Sequence, residues 1–141
     1  MYQAYVSDDG ILFTRHFDRY VGAEVFVASL EVLAGGPQKT KPKGMCIDLS
    51  GVTHATLDDS DRALGAFMQR KIQSYGMDLS RLQIVRIYNP ENVAVNKMLL
   101  ERDVRVAAPF FDLDAIINVE SLPEALKVLG LPADYRVEYP S

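Results

Sequence analysis

The stretch GMCIDLSGVTHATLDDSD, residues 44–61, decides how this chain is organised. Its first part is continuously apolar as far as Asp48, which is the pattern of a strand buried on both faces of a sheet. The next residues, LSGVT, are typical of a turn, and TLDDSD then supplies the hydroxyl and carboxylate side chains that favour a helix start. A buried strand that leads through a turn into a helix is the repeating unit of an α/β domain.

The rest of the chain repeats this alternation. YQAYV and ILFTRHF are two β-prone runs around an Asp-Gly pair, which predicts an N-terminal hairpin. RLQIVRIY and AIINV predict two further strands, and apolar residues at helical spacing predict four helices between and after the strands. The last helix opens on Ser121 and Glu124, three residues apart, which indicates a capping box. The predicted order is ββαβαβαβα.

This order predicts an α/β fold with a single mixed five-stranded sheet covered by about four helices. A chain of 141 residues, of which 48% are hydrophobic, is long enough for one such core. We predict one domain over residues 1–131 and an extended C-terminal tail over residues 132–141. The segment 105–114 is interrupted by Pro109 and has no clear period, so no element is predicted there.

Composition excludes several classes of function. The net charge of −4 argues against a nucleic-acid backbone as the partner, and the single cysteine cannot form an internal disulfide. No apolar run approaches the roughly 20 residues of a membrane span, so we expect a soluble, cytoplasmic protein without a transmembrane segment. The chain lacks G-x-G-x-x-G and G-K-[ST], and its two histidines lack partners at metal-ligand spacing. We therefore expect no cofactor and no metal.

Asp48 is the first candidate site residue, and two interpretations stand for it. Functional groups of α/β sheets gather beyond the carboxyl ends of strands, where Asp48 is predicted to lie. Aspartate also commonly accepts hydrogen bonds from the backbone of a following turn. A relay of Ser60, His54 and Asp48 can be drawn, but no nucleophile-elbow motif supports it. We expect no catalytic residue and a protein that is not an enzyme.

The acidic turn after Asp48 is the second candidate. Asp58, Asp59, Ser60 and Asp61 come at the predicted start of the second helix, where hydroxyl and carboxylate groups are favoured without any function. The same positive helix end would stabilise a phosphate on Ser60, whereas the neighbouring carboxylates would repel it. These residues are therefore candidates for partner binding or phosphorylation.

The element order and two motifs resemble the STAS fold, and more closely its SpoIIAA-like branch, relatives of anti-sigma-factor antagonists. Residues 48–52 match the family's Asp-Leu-Ser-Gly-Val, and NVESLPEALKVLGLP matches its closing strand and helix. In the antagonists the second serine of Asp-Ser-Ser-Gly is phosphorylated by a partner kinase. Here two alignments stay open: in one, Asp61 replaces the phosphoacceptor, and in the other Ser60 is the phosphoacceptor.

The resemblance implies a non-enzymatic regulatory or protein-interaction module, with a partner surface at the start of the second helix. The alternative is a carrier or sensor of a small apolar, lipid-like ligand, because Phe110 and Phe111 offer side chains that would line an apolar pocket. An edge strand in the N-terminal hairpin also makes a homodimer one way of protecting that edge. The protein partner is not identified by the sequence.

Overall fold

The computed structural model describes residues 1–8, 10–21, 23–34, 43–55, 59–76, 82–103 and 112–140. Within these ranges it confirms the predicted α/β fold, a small single domain with a mixed five-stranded sheet and four α-helices. The strands are β1 (Tyr2–Val6), β2 (Ile11–Tyr20), β3 (Gly44–Ala55), β4 (Gln83–Ile87) and β5 (Ile117–Val119). The helices are α1 (Ala23–Ala34), α2 (Asp59–Ser74), α3 (Val93–Arg102) and α4 (Leu122–Val128).

The strands lie side by side in chain order, β1-β2-β3-β4-β5. β1 runs antiparallel to β2, and the other three pairs are parallel. Each parallel crossover therefore moves one strand in the same direction, and right-handed crossovers place α1, α2 and α3 on one face of the sheet. We call this the helix face. The opposite face, which we call the tail face, is left for α4 and residues 131–140.

The helix face carries the larger core. Alternate residues of the central strands meet apolar side chains from all three crossover helices, as expected for strands whose side chains point to opposite faces in turn. Burying such side chains contributes roughly 1.5–3 kcal/mol each. The buried members include Leu12, Met45, Ile47 and Ile84 from the strands, Val25 and Ala28 from α1, Ile72 from α2, and Val95 and Leu99 from α3.

The tail face is covered differently. Ala125 and Leu126 of α4 pack on part of it, and the tail covers more of it with side chains that lie in no helix or strand. The ring of Tyr135 stacks on Phe13 at 6.0 Å between centroids. The guanidinium of Arg15 lies 4.5 Å from the ring centre of Tyr139. Aromatic and cation–π contacts thus hold a segment that has no regular structure.

Two boundaries predicted from sequence were wrong. The turn predicted directly after Asp48 does not form, because β3 continues to Ala55 beside β2. Two register shifts accompany this extension, and Gly51 lies at the first of them. A Cβ at Gly51 would come within 3.1 Å of the carbonyl oxygen of His16, so the close approach of the two strands requires glycine.

The second wrong boundary is the start of α3. Asn89 is a favoured N-cap residue and Pro90 fits a first helical turn, so the sequence predicts a helix start there. Asn92 caps the helix instead, accepting a hydrogen bond from the amide of Val95, and α3 begins at Val93. Asn89 caps the turn before it, accepting from the amide of Glu91. None of the helices in the described ranges is long and apolar enough to cross a membrane.

Candidate functional site

Asp48 lies in the middle of β3 rather than at its carboxyl end. Its carboxylate accepts hydrogen bonds from the amide of Ser50 at 2.9 Å and from the hydroxyl of Ser50 at 2.6 Å. Asp48 follows Cys46 by two positions on the strand, and the Cys46 side chain belongs to the core of the tail face, so Asp48 is placed on that face. The local hydrogen-bonding interpretation of Asp48 therefore describes its contacts.

The acidic turn opens α2 on the other side of the sheet. The backbone of Asp59, Ser60 and Asp61 forms the first residues of that helix, while Asp58 lies outside the described residues. Since α2 packs on the helix face, Asp48 and the start of α2 are not on the same face of the sheet. The sequence grouped them because they are close along the chain.

Phe110 and Phe111, the predicted pocket residues, also lie outside the described residues. Of the segment 105–114, the structure describes a short 3₁₀ helix that begins at Leu113 and ends at Ala115. Two members of the relay considered above, Asp48 and His54, make local contacts. His54 lies in β3 with its Nδ1 3.3 Å from the hydroxyl of Thr53.

The outer side of α2 exposes large side chains. Leu64 and Phe67 are 44% and 55% exposed, and Tyr75, just after the helix, is 38% exposed. In the sequence their helical spacing with Met68 and Ile72 predicts one apolar face that packs on the core. Only Ile72 of this set is fully buried, since the apolar face of α2 is wider than the surface it packs on. The ammonium of Lys71 lies 6.0 Å from the centre of the Phe67 ring, within cation–π range. α2 therefore presents an apolar strip with a basic residue.

A buried ion pair on the helix face was not predicted. Arg86 of β4 is 9% exposed, and its two terminal nitrogens donate to the two carboxylate oxygens of Asp103 at 2.7 and 2.8 Å. Its Nε donates to the side-chain oxygen of Asn118 on β5 at 3.2 Å. This bidentate geometry fixes the plane of the guanidinium. Arg86 and Asn118 are also register partners, so they lie side by side on the sheet.

Tyrosines surround this pair. The guanidinium of Arg86 lies 5.3 Å from the ring centre of Tyr88, and that of Arg102 lies 4.8 Å from the ring centre of Tyr20. Burial raises the pKa of both phenols, and Asp103 raises them further, although the neighbouring guanidinium charges oppose the shift. Both hydroxyls are therefore protonated at neutral pH and act as hydrogen-bond donors.

A pocket of about 330 Å³ opens beside the ion pair. It lies at the carboxyl ends of β4 and β5, where ligands of α/β sheets commonly bind. One wall comes from α3 and the turn before it, and the floor comes from the two strands and the residue after β5. The lining residues are Arg86, Tyr88, Pro90, Asn96, Leu100, Asn118, Val119 and Glu120.

A second buried polar cluster lies under α1. His16 is fully buried, with Nε2 3.0 Å from the hydroxyl of Thr14 and Nδ1 3.4 Å from the carboxylate of Glu24. Burial raises the pKa of Glu24, but hydrogen bonds from His16 and the amino group of Met1 outweigh it, so the pKa is lowered. Each polar group of this cluster is satisfied by a neighbour, which is the behaviour of a structural cluster.

One sequence signal pointed to the ion pair. Arg86 is a charged residue within the apolar run QIVRI, and buried arginines almost always have a partner. That partner, Asp103, follows α3 and is 17 residues away. In the described ranges no group of three or more His, Cys, Asp or Glu side chains is arranged to hold a metal ion.

Comparison with known proteins identifies no family for this chain. No protein-family model matches the chain, and no curated protein matches it. The resemblance to STAS domains therefore stays a prediction based on residues 48–52 and on the closing strand and helix.

Proposed function

We propose that this domain is a non-enzymatic regulatory module that binds a protein partner through the outer side of α2. The observation that carries the proposal is the exposure of Leu64 and Phe67, one helical turn apart on that side. Aromatic side chains are enriched at the centres of protein interfaces. Lys71 completes the strip by lying against Phe67.

The position of this strip supports the proposal in a second way. It begins within one turn of the acidic residues that the STAS resemblance associates with partner binding, Asp59 to Asp61. A partner that covers Leu64 and Phe67 would therefore also meet the first turn of α2. A phosphate or a changed charge at Ser60 would then alter binding directly, without a change of fold.

The proposal is tested by photo-crosslinking in the source organism. A photoreactive residue replaces Phe67 in one variant and Val93 in the control, since Val93 is a 72% exposed apolar residue on α3. We expect a specific protein to crosslink from position 67 and not from position 93. Native mass spectrometry of the same complex tests whether that protein is a second copy of the chain.

The affinity of the captured partner gives the decisive comparison. Phe67→Ser should raise the Kd at least about tenfold, because an exposed aromatic anchor contributes more than about 1.4 kcal/mol to binding. Val93→Ser should leave the Kd within about twofold of the wild-type value, which a binding titration distinguishes from the tenfold increase expected for Phe67→Ser. Equal binding by wild type and Phe67→Ser would contradict the proposal. Ser60→Asp and Asp61→Lys are expected to change the Kd while leaving the fold intact.

A second function is favoured by the pocket at the ends of β4 and β5. We propose that the domain carries or senses a small, partly apolar molecule there. The pocket volume of about 330 Å³ lies at the lower end of the range for small-molecule sites. A native mass spectrum of protein purified gently from the source organism should contain a bound mass, and Leu100→Trp, which fills the opening, should remove it. A retained mass in the Leu100→Trp variant would place the ligand elsewhere.

A further inference from the structure

We infer that this pocket selects a small zwitterion with an apolar side group, such as an apolar α-amino acid. The inference rests on the second proposed function and adds the chemical class of the ligand. Four features carry it: the hydrogen-bond donors on the pocket floor, the acceptors that line it, the apolar walls and the balance of charge.

The donors are fixed by the buried ion pair. Arg86 has five N–H groups, and among the described residues Asp103 and Asn118 use three of them, which leaves two for a ligand. Asn118 spends its side-chain oxygen on Arg86 and keeps its amide N–H groups to donate. Arg86 cannot rotate without breaking its bidentate bond, so these donors are held in place before a ligand arrives. A carboxylate is the acceptor that this arrangement suits best.

The acceptors are Glu120 and Asn96, which line the same pocket. Glu120 follows Asn118 by two residues and lies just after β5. Within the described part of the chain, the Glu120 carboxylate makes no ion pair. Asn96 donates its side-chain N–H to the carbonyl oxygen of Asn89 at 2.8 Å, so its side-chain oxygen is left to accept. These two groups suit an ammonium.

Both kinds of polar group line the same small pocket, so one ligand of a few atoms can reach both with hydrogen bonds of about 2.8 Å. The remaining walls are apolar and would contact the ligand's side group: the ring of Tyr88, Pro90, Leu100 and Val119. Leu100 is 66% exposed without a ligand, so a bound side group would remove apolar surface from water.

The charge balance disfavours the other classes. Asp103 already pairs with Arg86, so a simple anion gains little from that guanidinium and is repelled by the Glu120 carboxylate. A simple cation would leave the donors of Arg86 and Asn118 unpaired and covered. A neutral apolar ligand would bury the donors and the acceptors without hydrogen bonds, which costs free energy at each group. Only a ligand with both charges satisfies both.

The test compares three probes that share a 2-phenylethyl group: L-phenylalanine, 3-phenylpropanoate and 2-phenylethylamine. Binding to the full chain is followed by NMR chemical-shift titration, with the amide of Glu120 and the side-chain amide of Asn118 as reporters. L-Phenylalanine is expected to bind at least about tenfold more tightly than either analogue, the effect of one additional charge-assisted hydrogen bond. Glu120→Gln should abolish its advantage over 3-phenylpropanoate, and Glu138→Gln on the tail should leave it unchanged.

The outcomes separate the two levels of the proposal. If none of the probes shifts the reporter signals, the pocket is not a small-molecule site for this class and the second proposed function fails with the inference. If an analogue binds as tightly as L-phenylalanine, or if Glu120→Gln changes nothing, the zwitterion inference is wrong while the pocket keeps its function.

Discussion

The two faces of the sheet bury similar strands under very different covers. The helix face is closed by three helices that the chain must pass through on its way from one strand to the next. The tail face is closed by the short α4 and by residues 131–140, which lie in no helix or strand. Cover on the helix face thus follows from connectivity, whereas cover on the tail face depends on individual side-chain contacts.

The buried or partly buried arginines of the two faces also differ in how they are held. Arg86 and Asp103 on the helix face form a closed bidentate pair. On the tail face, Arg15 is shared among a hydrogen bond to Gln3 and the rings of Phe17 and Tyr139. Removing one member of a closed pair strongly destabilises the fold, because it leaves a buried charge without its partner. Arg15 has several contacts, so a substitution at one neighbour removes only one of them.

The largest expected effect comes from breaking the ion pair of the helix face. Asp103→Ala leaves the buried cation of Arg86 without its partner and should lower the free energy of unfolding by about 3–5 kcal/mol. Urea denaturation measures the loss. The double variant Arg86→Met with Asp103→Leu should regain most of it, because no buried charge then remains. A loss below about 1 kcal/mol in Asp103→Ala would mean that the pair is solvated, as exposed pairs are.

A smaller effect is expected from loosening the tail. Tyr139→Ala should cost about 1–3 kcal/mol, since it removes a partly buried ring and a cation–π contact. It should also expose Cys46, whose pKa burial raises to about 12, so that its thiol is unreactive in the closed protein. The rate at which iodoacetamide alkylates Cys46 is followed by mass spectrometry. The rate should increase in Tyr139→Ala by a larger factor than the increase in the unfolded fraction alone would give.

The matched control is Tyr75→Ala, because Tyr75 is a more exposed tyrosine just after α2. Its alkylation rate should stay at the wild-type value. Equal rates for Tyr139→Ala and Tyr75→Ala would show that the tail does not protect the tail face.

The loss of stability at alkaline pH compares the two faces, since Tyr139 is partly buried on the tail face and Tyr20 is buried on the helix face. Burial raises the pKa of Tyr139, helped by Cys46 and Asp48 and opposed by Arg15, above the ordinary 10.0. Burial likewise raises that of Tyr20, opposed by the two nearby guanidinium groups. Because the folded protein favours the protonated phenols, stability should be intact below pH 10.0 and fall as the pH rises above it.

Denaturation between pH 10 and 12 measures the slope, which reaches at most about 1.4 kcal/mol per pH unit for each such phenol. Tyr139→Phe and Tyr20→Phe should each make the slope shallower. An unchanged slope in Tyr139→Phe would mean that the tail opens before its tyrosine ionises.

The smallest effect is expected on the outer side of α2. Phe67→Ser changes an exposed side chain and should alter the free energy of unfolding by no more than about 0.5 kcal/mol. The same urea denaturation measures it. A larger loss would mean that Phe67 contributes to the core, and its effect on partner binding would then need a different control position.

Much of the fold was predictable because apolar periodicity and turn chemistry agree along the chain. Ser121 caps α4 as predicted, accepting a hydrogen bond from the amide of Glu124. The error at β3 has a physical origin. Ser50 and Gly51 are turn-prone by themselves, but pairing with β2 extends the strand to Ala55, so tertiary pairing outweighs local preference.

The candidate site was less predictable, since it depends on register. Arg86 contacts Asn118 because β4 and β5 pair as they do, and no spacing along the chain indicates that pairing. The tail did carry a signal that the sequence interpretation missed. Tyr135, Val137 and Tyr139 are partly buried while the residues between them are exposed, which is the alternation of an extended segment against an apolar surface.

The chain-ordered sheet also has a consequence for biosynthesis. Each strand pairs with the one synthesised just before it, so β1 to β4 and their helices can assemble while the ribosome is still translating later residues. The aromatic tail emerges after every strand it covers. Until α4 and the tail have emerged, Phe13, Cys46 and Val85 form an apolar surface of the kind that chaperones bind. Residues 131–140 thus complete the cover of a surface that is prone to aggregation while it is bare.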